Sequence, residues 1–410
     1  MLRSILVLLT LVSTAQAASW TPSFDLRVRE EILDGVYHFA PEPDRDWVRV
    51  RARVGLAYET SAVRVEARLD NEHRHLRTPR REPDFDEVIV DRASLSWTPS
   101  PSTRWTVGRQ DILWPGGFLV LEGHPLDGSR SMYHDGVRIV HDAGAWELDG
   151  AVVHNRKRDD FVLVDDVERA LTDADETGVM LRAAHGSWAL SFIGKFESDP
   201  DDALEDLGTL TLGVRRVREH WHVEIAAQHQ NGTVRAAAND AVARGTGFAF
   251  AGEGAVRWPL AGDWTLETGA YTYSGLDGDL RPFRTPWGRW PKWSEMYLYS
   301  LIGESTPGRV HVAAWEDLAA PRLALERPFT SRWTDSIRLR GVVDAIWSPS
   351  TGDPRGVLTE LALDADFGHG LTGHLLWERL DPGAFHDGRH GLPAIDGPVQ
   401  FFRWQLGYSW

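Results

Sequence analysis

The feature that most limits the fold of this chain is a period of two in its hydrophobic pattern. Between Trp47 and Tyr58, apolar residues alternate with Arg49, Arg51 and Arg53. Alternate side chains of a β-strand point to opposite faces of a sheet, so this segment has one apolar and one cationic face. Similar segments recur to the C-terminus, and many approach the length at which a tilted strand crosses a bilayer.

Two kinds of all-β protein show such alternation. A soluble sandwich turns its polar face to water, and its strands usually have about 5–6 residues. A transmembrane barrel turns its apolar face to lipid and its polar face to the lumen. The long strands, and tight turns such as Ala143-Gly144 between long polar stretches such as Leu276–Ser294, favour the barrel. We therefore predict an all-β fold, a transmembrane antiparallel up-and-down β-barrel of about 18 strands.

The C-terminal segment predicts how such a barrel closes. Apolar residues occupy every second position from Phe402 to Trp410, where the sequence ends on an aromatic residue. We expect Phe401–Trp410 to pair with an early strand near Phe24–Glu31. A terminal strand of this kind also resembles the signal that the outer-membrane barrel assembly machinery reads.

The N-terminal residues indicate export. Met1–Arg3 is positively charged, Ile5–Val12 is largely apolar, and Ala15-Gln16-Ala17 has the pattern of a cleavage site. This order predicts a secretory signal over 1–17, followed by the barrel over 18–410. The predicted location is the outer membrane of a Gram-negative bacterium, in contact with outer-membrane lipid and lipopolysaccharide.

Composition narrows the classes of function. The chain has no cysteine, which excludes disulfides and thiolate metal sites, and its net charge of −16 disfavours nucleic-acid binding. No motif of a known catalytic spacing occurs, so we predict no enzyme activity, no catalytic or metal-binding residue and no cofactor. The 19 Trp residues suit either a membrane interface or a sugar-binding surface. A periplasmic sugar-binding β-protein therefore remains an alternative.

The polar faces of the predicted strands are rich in arginine. The residues predicted to line the lumen are Arg49, Arg51, Arg53, Arg64, Arg68, Arg92, Arg138, Arg338 and Arg340. Cationic rings in a pore select anions, and the guanidinium fork matches a carboxylate. The same arginines could instead pair with inward-facing Asp and Glu residues and brace the wall.

One block of sequence resembles a known family. Trp105–Gln110 ends in Gly-Arg-Gln, and Ser131–Arg138 ends in Asp-Gly-Val-Arg. Together with the early arginine-rich strand and the closing strand, this block resembles the alginate export family of outer-membrane porins. The resemblance implies a monomeric, 18-stranded barrel with a cationic conduit for an acidic polysaccharide or a related acidic solute. By position, it assigns Arg49, Arg51, Arg53, Arg109, Asp135 and Arg138 to that conduit.

Two functions follow as hypotheses. The first is a porin that passes an anionic solute, an acidic polysaccharide or sugar, by passive diffusion through an arginine-lined lumen. The second is a structural or adhesive surface barrel whose lumen is plugged by charge pairs and by Trp-rich loops such as Arg281–Trp293. Arg109 and Asp135 could also brace the wall as a pair rather than line the conduit.

Overall fold

The computed structural model describes residues 18–36, 44–120, 133–164, 174–199, 206–235, 242–288, 293–296, 316–388 and 394–410. The predicted signal over 1–17 lies outside these residues and stays a prediction. Within the described ranges, no helix is long and apolar enough to cross a membrane.

The described residues form nineteen β-strands. Their bounds are β1 Ser19–Asp34, β2 Arg45–Glu59, β3 Val63–Thr78, β4 Asp84–Ser100, β5 Thr103–Gln110, β6 His134–Asp142, β7 Trp146–Asn155, β8 Val162–Val164, β9 Asp175–His185, β10 Trp188–Ser198, β11 Leu207–Arg218, β12 Trp221–Arg235, β13 Val242–Pro259, β14 Thr265–Tyr273, β15 Leu318–Ser331, β16 Thr334–Trp347, β17 Pro354–Gly368, β18 Leu371–Pro382 and β19 Val399–Ser409.

All of these strands except β8 form one closed, antiparallel, 18-stranded barrel. Each strand of the wall pairs with the next along the chain, and β19 closes the barrel against β1 from Asp25↔Ser409 to Asp34↔Gln400. The short β8 pairs with β4 at Val88 and Ile89. The predicted fold and the predicted closure by the C-terminal strand are confirmed.

The outer surface of the barrel is apolar. Leu56 on β2, Leu212 on β11 and Leu361 on β17 are each about half exposed or more, at 46%, 61% and 50%. Their neighbours in sequence point to the lumen, as the alternation predicts. Since none of the described residues covers these leucines, a lipid environment accounts for this surface.

The two ends of the barrel differ. One end has only tight turns, at 60–62, 101–102, 143–145, 186–187, 219–220, 260–264, 332–333 and 369–370. In barrels of this class the short turns are periplasmic. Many of the 19 tryptophans ring this end: Trp20, Trp97, Trp105, Trp146, Trp188, Trp221, Trp258, Trp264, Trp333 and Trp410. Their position answers the question that composition left open, because a girdle of this kind marks the water–lipid interface.

The apolar core lies inside the barrel. Residues 111–120, after β5, and residues 274–288 and 293–296, after β14, turn into the lumen, and we call them the lumen plug. Their large side chains include Phe118, Phe283 and Trp287, all at most 2% exposed. The two segments meet where the backbone N–H of Trp287 donates to the carbonyl oxygen of Leu119, at 3.0 Å.

Glycines of the wall make room for the lumen plug. A Cβ atom on Gly178 of β9 would lie 2.6 Å from the indole ring of Trp287, and one on Gly213 of β11 would lie 2.6 Å from Leu119. Such distances are far below van der Waals contact, so any larger residue would push the plug side chains away. The wall is therefore shaped around the plug.

Candidate functional site

The lumen wall formed by β1–β4 is a lattice of paired charges. On β2, Arg49 Nη2 lies 2.6 Å from Glu72 on β3, and Arg49 Nη1 lies 3.5 Å from Glu31 on β1. Glu72 also accepts a hydrogen bond from Arg27, at 3.3 Å. Arg49 and Glu72 are only 3% and 0% exposed, so this part of the lattice is nearly closed to solvent.

The other two predicted arginines of β2 are paired as well. Arg51 lies 3.1 Å from Asp25 on β1. Arg53 lies 3.1 Å from Asp70 on β3 and 3.4 Å from Asp91 on β4. Strand β2 carries no acid between Arg49 and Arg53, and its neighbours in the sheet supply the counter-charges.

The remaining predicted arginines of β3 and β4 follow the same pattern. Arg68 lies 2.8 Å from Asp91, and Arg92 lies 2.8 Å from Glu66 and contacts Asp111 of the lumen plug. The outlying member is Arg64, near the periplasmic turn. It pairs with Glu59 at 2.9 Å and with Glu66 at 3.2 Å, and 44% of its side chain is exposed.

Three further predicted arginines also face the lumen. Arg138 on β6 makes two hydrogen bonds to Asp149, at 2.7 and 2.9 Å. Arg338 on β16 donates to Asp364 at 2.8 Å, and Arg340 Nη2 lies 3.7 Å from Glu267. Structural pairing, the alternative that the sequence left open, therefore describes all of these side chains.

Arg109 and Asp135 do not face the lumen. In β5, Arg109 falls on the same side as Val107, which is 49% exposed on the outer surface. Its Nη2 atom lies 2.8 Å from Asp135 and 3.0 Å from Asp159, and its guanidinium stacks on Tyr133 at 3.7 Å. Their assignment to the conduit is corrected on this geometry. They brace the wall where β5 ends and the chain turns inward.

Because the cluster of Arg109, Tyr133, Asp135 and Asp159 does not line the lumen, breaking it should lower stability and leave transport unchanged. Burial opposes ionisation of Asp159, but the charge of Arg109, together with hydrogen bonds from Arg109 and Tyr133, holds the pKa of Asp159 below its usual value. Arg109→Gln leaves that buried carboxylate without its guanidinium, so the free energy of unfolding should fall by about 3–5 kcal/mol. Urea unfolding in detergent measures the loss, and the ion selectivity of the channel should stay unchanged. Arg379→Gln, which breaks an exposed pair with Asp381, is the control.

The open space in the lumen lies towards the periplasmic end. A cavity of about 700 Å³ is lined there by strands β11–β19 and by residues of the lumen plug. Its charged lining includes Arg257, Glu267, Arg322, Arg338, Glu360 and Arg403. A volume of this order matches the clefts that hold small ligands in proteins.

In this cavity the arginine is the more exposed member of most of its ion pairs, and the exception is Arg403, at 7% against 14% for Glu295. The side chain of Arg257 is 54% exposed against 13% for Glu267, and that of Arg338 is 56% exposed against 38% for Asp364. The same order holds for Arg215–Glu224 and Arg322–Asp344. At these four pairs a solute therefore meets the guanidinium group before the carboxylate.

Sequence reasoning missed three of these arginines, Arg215, Arg257 and Arg322. Arg322 precedes Leu323, which is 51% exposed, and Arg257 precedes Trp258, also 51% exposed. An outward apolar neighbour is the signal that places an arginine on the inner face of a strand. The strands of Arg257 and Arg322 were not recognised from the pattern, so the signal was not used there.

The chain shares its fold with outer-membrane porins. OccAB1 of Acinetobacter baumannii superposes with a TM-score of 0.57 at 12% identity, covering 95% of this chain and 96% of that one. OccK8 (OprE) of Pseudomonas aeruginosa gives 0.57 at 10% identity, covering 96% and 98%. A BenF-like porin from Pseudomonas fluorescens Pf-5 gives 0.55 at 9% identity, covering 95% and 98%.

Identities this low establish the fold and nothing finer. No family model matches the chain, and no curated protein matches it in sequence. The resemblance to the alginate export family, which is a different family of porins, is not confirmed. The closed barrel with its lipid-facing surface places the protein in the Gram-negative outer membrane, as predicted.

Proposed function

We propose that the protein is a passive outer-membrane channel for small solutes that carry an acidic group. The observation that supports this most is the exposure order in the periplasmic cavity, where Arg257 and Arg338 stand in front of their carboxylate partners. Fixed cations at the surface of a narrow aqueous path attract anions and repel cations. A guanidinium fork also offers a carboxylate two parallel hydrogen bonds.

The size of the solute follows from the lumen plug. The plug fills part of the lumen with close-packed aromatic side chains, and the charged cavity beside it measures about 700 Å³. This space suits a sugar acid or a short acidic oligosaccharide better than an extended acidic polysaccharide. We therefore propose the smaller of the two kinds of cargo that the sequence suggested.

Five of the predicted lining residues fall into two groups under this proposal. Arg64, Arg338 and Arg340 keep exposed fractions of 44%, 56% and 27%, and a passing carboxylate can exchange with their acidic partners. Arg49 and Arg53 are at most 10% exposed, and we assign them to bracing. Weak and exchangeable contacts suit a channel, since a solute that binds too tightly does not leave.

The double variant Arg257→Gln/Arg338→Gln tests this proposal. It removes the two most exposed guanidiniums of the cavity pairs, so the preference for anions should fall sharply towards none. The reversal potential across a planar bilayer under a salt gradient measures that preference. Arg379 lies on the outer surface, so the control variant Arg379→Gln should have the same reversal potential as the unmodified protein. An unchanged reversal potential in the double variant would contradict the proposal.

A plugged structural barrel is the second candidate. It is favoured by the depth of the lumen plug, in which Trp287 and Val120 are both 0% exposed. This candidate predicts no conductance steps from purified, folded protein in a bilayer. The proposed channel predicts steps with an anionic preference.

A further inference from the structure

Two arginines face lipid at the periplasmic end of the barrel. In β11, Arg216 lies on the same side as Leu212, and in β15, Arg327 lies on the same side as Leu323. These leucines are 61% and 51% exposed on the outer surface. A charged side chain on this surface is tolerated only near the water–lipid boundary, where both arginines lie.

Arg216 is held between two tryptophans. Its guanidinium carbon lies 4.4 Å from the ring centroid of Trp188 and 5.2 Å from that of Trp221. Both tryptophans begin strands directly after periplasmic turns, so the group lies in the aromatic girdle. Cation–π contacts at these distances fix the guanidinium at the level of the lipid headgroups.

Arg327 has an equivalent setting four strands away. Its guanidinium carbon lies 5.4 Å from the centroid of Trp264 and 4.8 Å from that of Phe329. Trp264 ends the turn that precedes β14. Because the barrel is staggered, Arg327 reaches the same boundary even though it lies within β15.

Neither guanidinium has a carboxylate partner among the described residues. The Nε atoms of Arg216 and Arg327 are buried and make no hydrogen bond there. Two other outward charges are paired: Glu30 lies 2.5 Å from Arg77, and Arg379 lies 2.7 Å from Asp381. Arg216 and Arg327 differ from these paired charges in having aromatic neighbours instead of a counter-charge.

We propose that Arg216 and Arg327 each bind the phosphate of an anionic phospholipid in the periplasmic leaflet. The guanidinium fork matches phosphate oxygens, and a negative headgroup supplies the counter-charge that the protein omits. The acyl chains lie against the exposed leucines of β11 and β15. This contact with apolar wall favours a lipid over free phosphate as the ligand.

Native mass spectrometry of the detergent-solubilised barrel tests this proposal. The probes are phosphatidylglycerol and phosphatidylcholine at equal concentration. The unmodified protein should retain phosphatidylglycerol in preference, and Arg216→Met/Arg327→Met should bind the two lipids equally. Arg338→Met removes an arginine from the lumen face at the same end and should keep the preference.

Several outcomes would overturn the proposal. They are equal retention of both lipids by the unmodified barrel, an undiminished preference in the double variant, and direct binding of inorganic phosphate in place of lipid. If the double variant does not fold, a salt titration of the unmodified barrel decides the question. The preference must then fall as ionic strength rises, since the contact is electrostatic.

Discussion

Trp287→Ala should raise the single-channel conductance several-fold. Trp287 is 0% exposed at the centre of the lumen plug, where its indole N–H donates to Glu176 at 3.0 Å. Its ring meets His134 edge-on, with centroids 5.6 Å apart. Removing a buried Trp side chain costs about 3–5 kcal/mol of packing free energy. The plug should therefore no longer pack stably against Gly178 of the wall, and the lumen should widen. Conductance in a planar bilayer measures the opening.

Trp333→Ala is the matched control for this substitution. Trp333 lies in the periplasmic turn between β15 and β16 and is 71% exposed. The same side chain is removed, but from the outside of the barrel, so conductance should stay at the unmodified level. Equal conductance in the Trp287 and Trp333 variants would contradict the role of the plug.

Glu72→Gln should lower the free energy of unfolding by about 3–5 kcal/mol, because it breaks a buried ion pair on one side only. Glu72 is 0% exposed and is the acid closest to Arg49, at 2.6 Å, and it also binds Arg27. Urea unfolding of the detergent-solubilised barrel measures the change. The anion preference of the channel should rise, since the wall gains net positive charge.

Glu59→Gln is the control for that prediction. Glu59 pairs with Arg64 at 2.9 Å near a periplasmic turn, and the two side chains are 49% and 44% exposed. Exposed ion pairs contribute about 0–1 kcal/mol, so this variant should unfold almost as the unmodified protein does. If both variants lost a similar free energy of unfolding, burial of the charge lattice would not be the source of its stabilising effect.

The strands of the barrel wall, and the face of each strand that points to the lumen, could be predicted from the sequence. A strand has only two faces, so the alternation around Arg49, Arg51 and Arg53 identifies the lumen side without any tertiary information. The C-terminal alternation likewise predicts the closing strand, because a barrel needs its last strand to pair with its first. These local patterns were enough to predict the fold class, the approximate number of strands and the location of the protein.

The ion pairs between the strands could not be predicted from the sequence. Which acid meets which arginine depends on register, and a bulge beside Arg68 shifts the register of β3 against β4. Strict alternation would put Asp91 and Arg92 on opposite faces, yet both meet charges in the lumen. Arg109 shows the opposite case, since its alternation with outward Val107 outweighs the family resemblance that assigned it to the conduit.

The position of the lumen plug could also not be predicted from the hydrophobic pattern. Its segments have no regular period, so nothing in their local sequence says whether they lie over the barrel or inside it. The Trp-rich stretch Arg281–Trp293 was expected in the lumen only under the plugged-barrel alternative. The part of it that the structure describes does lie there, with Trp287 as its most deeply packed side chain.

Uptake into proteoliposomes tests the central claim most directly. Liposomes that carry the unmodified barrel are mixed with gluconate, glucose or a long acidic polysaccharide, and swelling reports the rate of entry. A path lined by exposed guanidiniums predicts that gluconate enters faster than glucose of similar size, and that the polysaccharide does not enter. Equal or slower entry of gluconate, or no swelling with either small solute, would contradict an anion-selective channel.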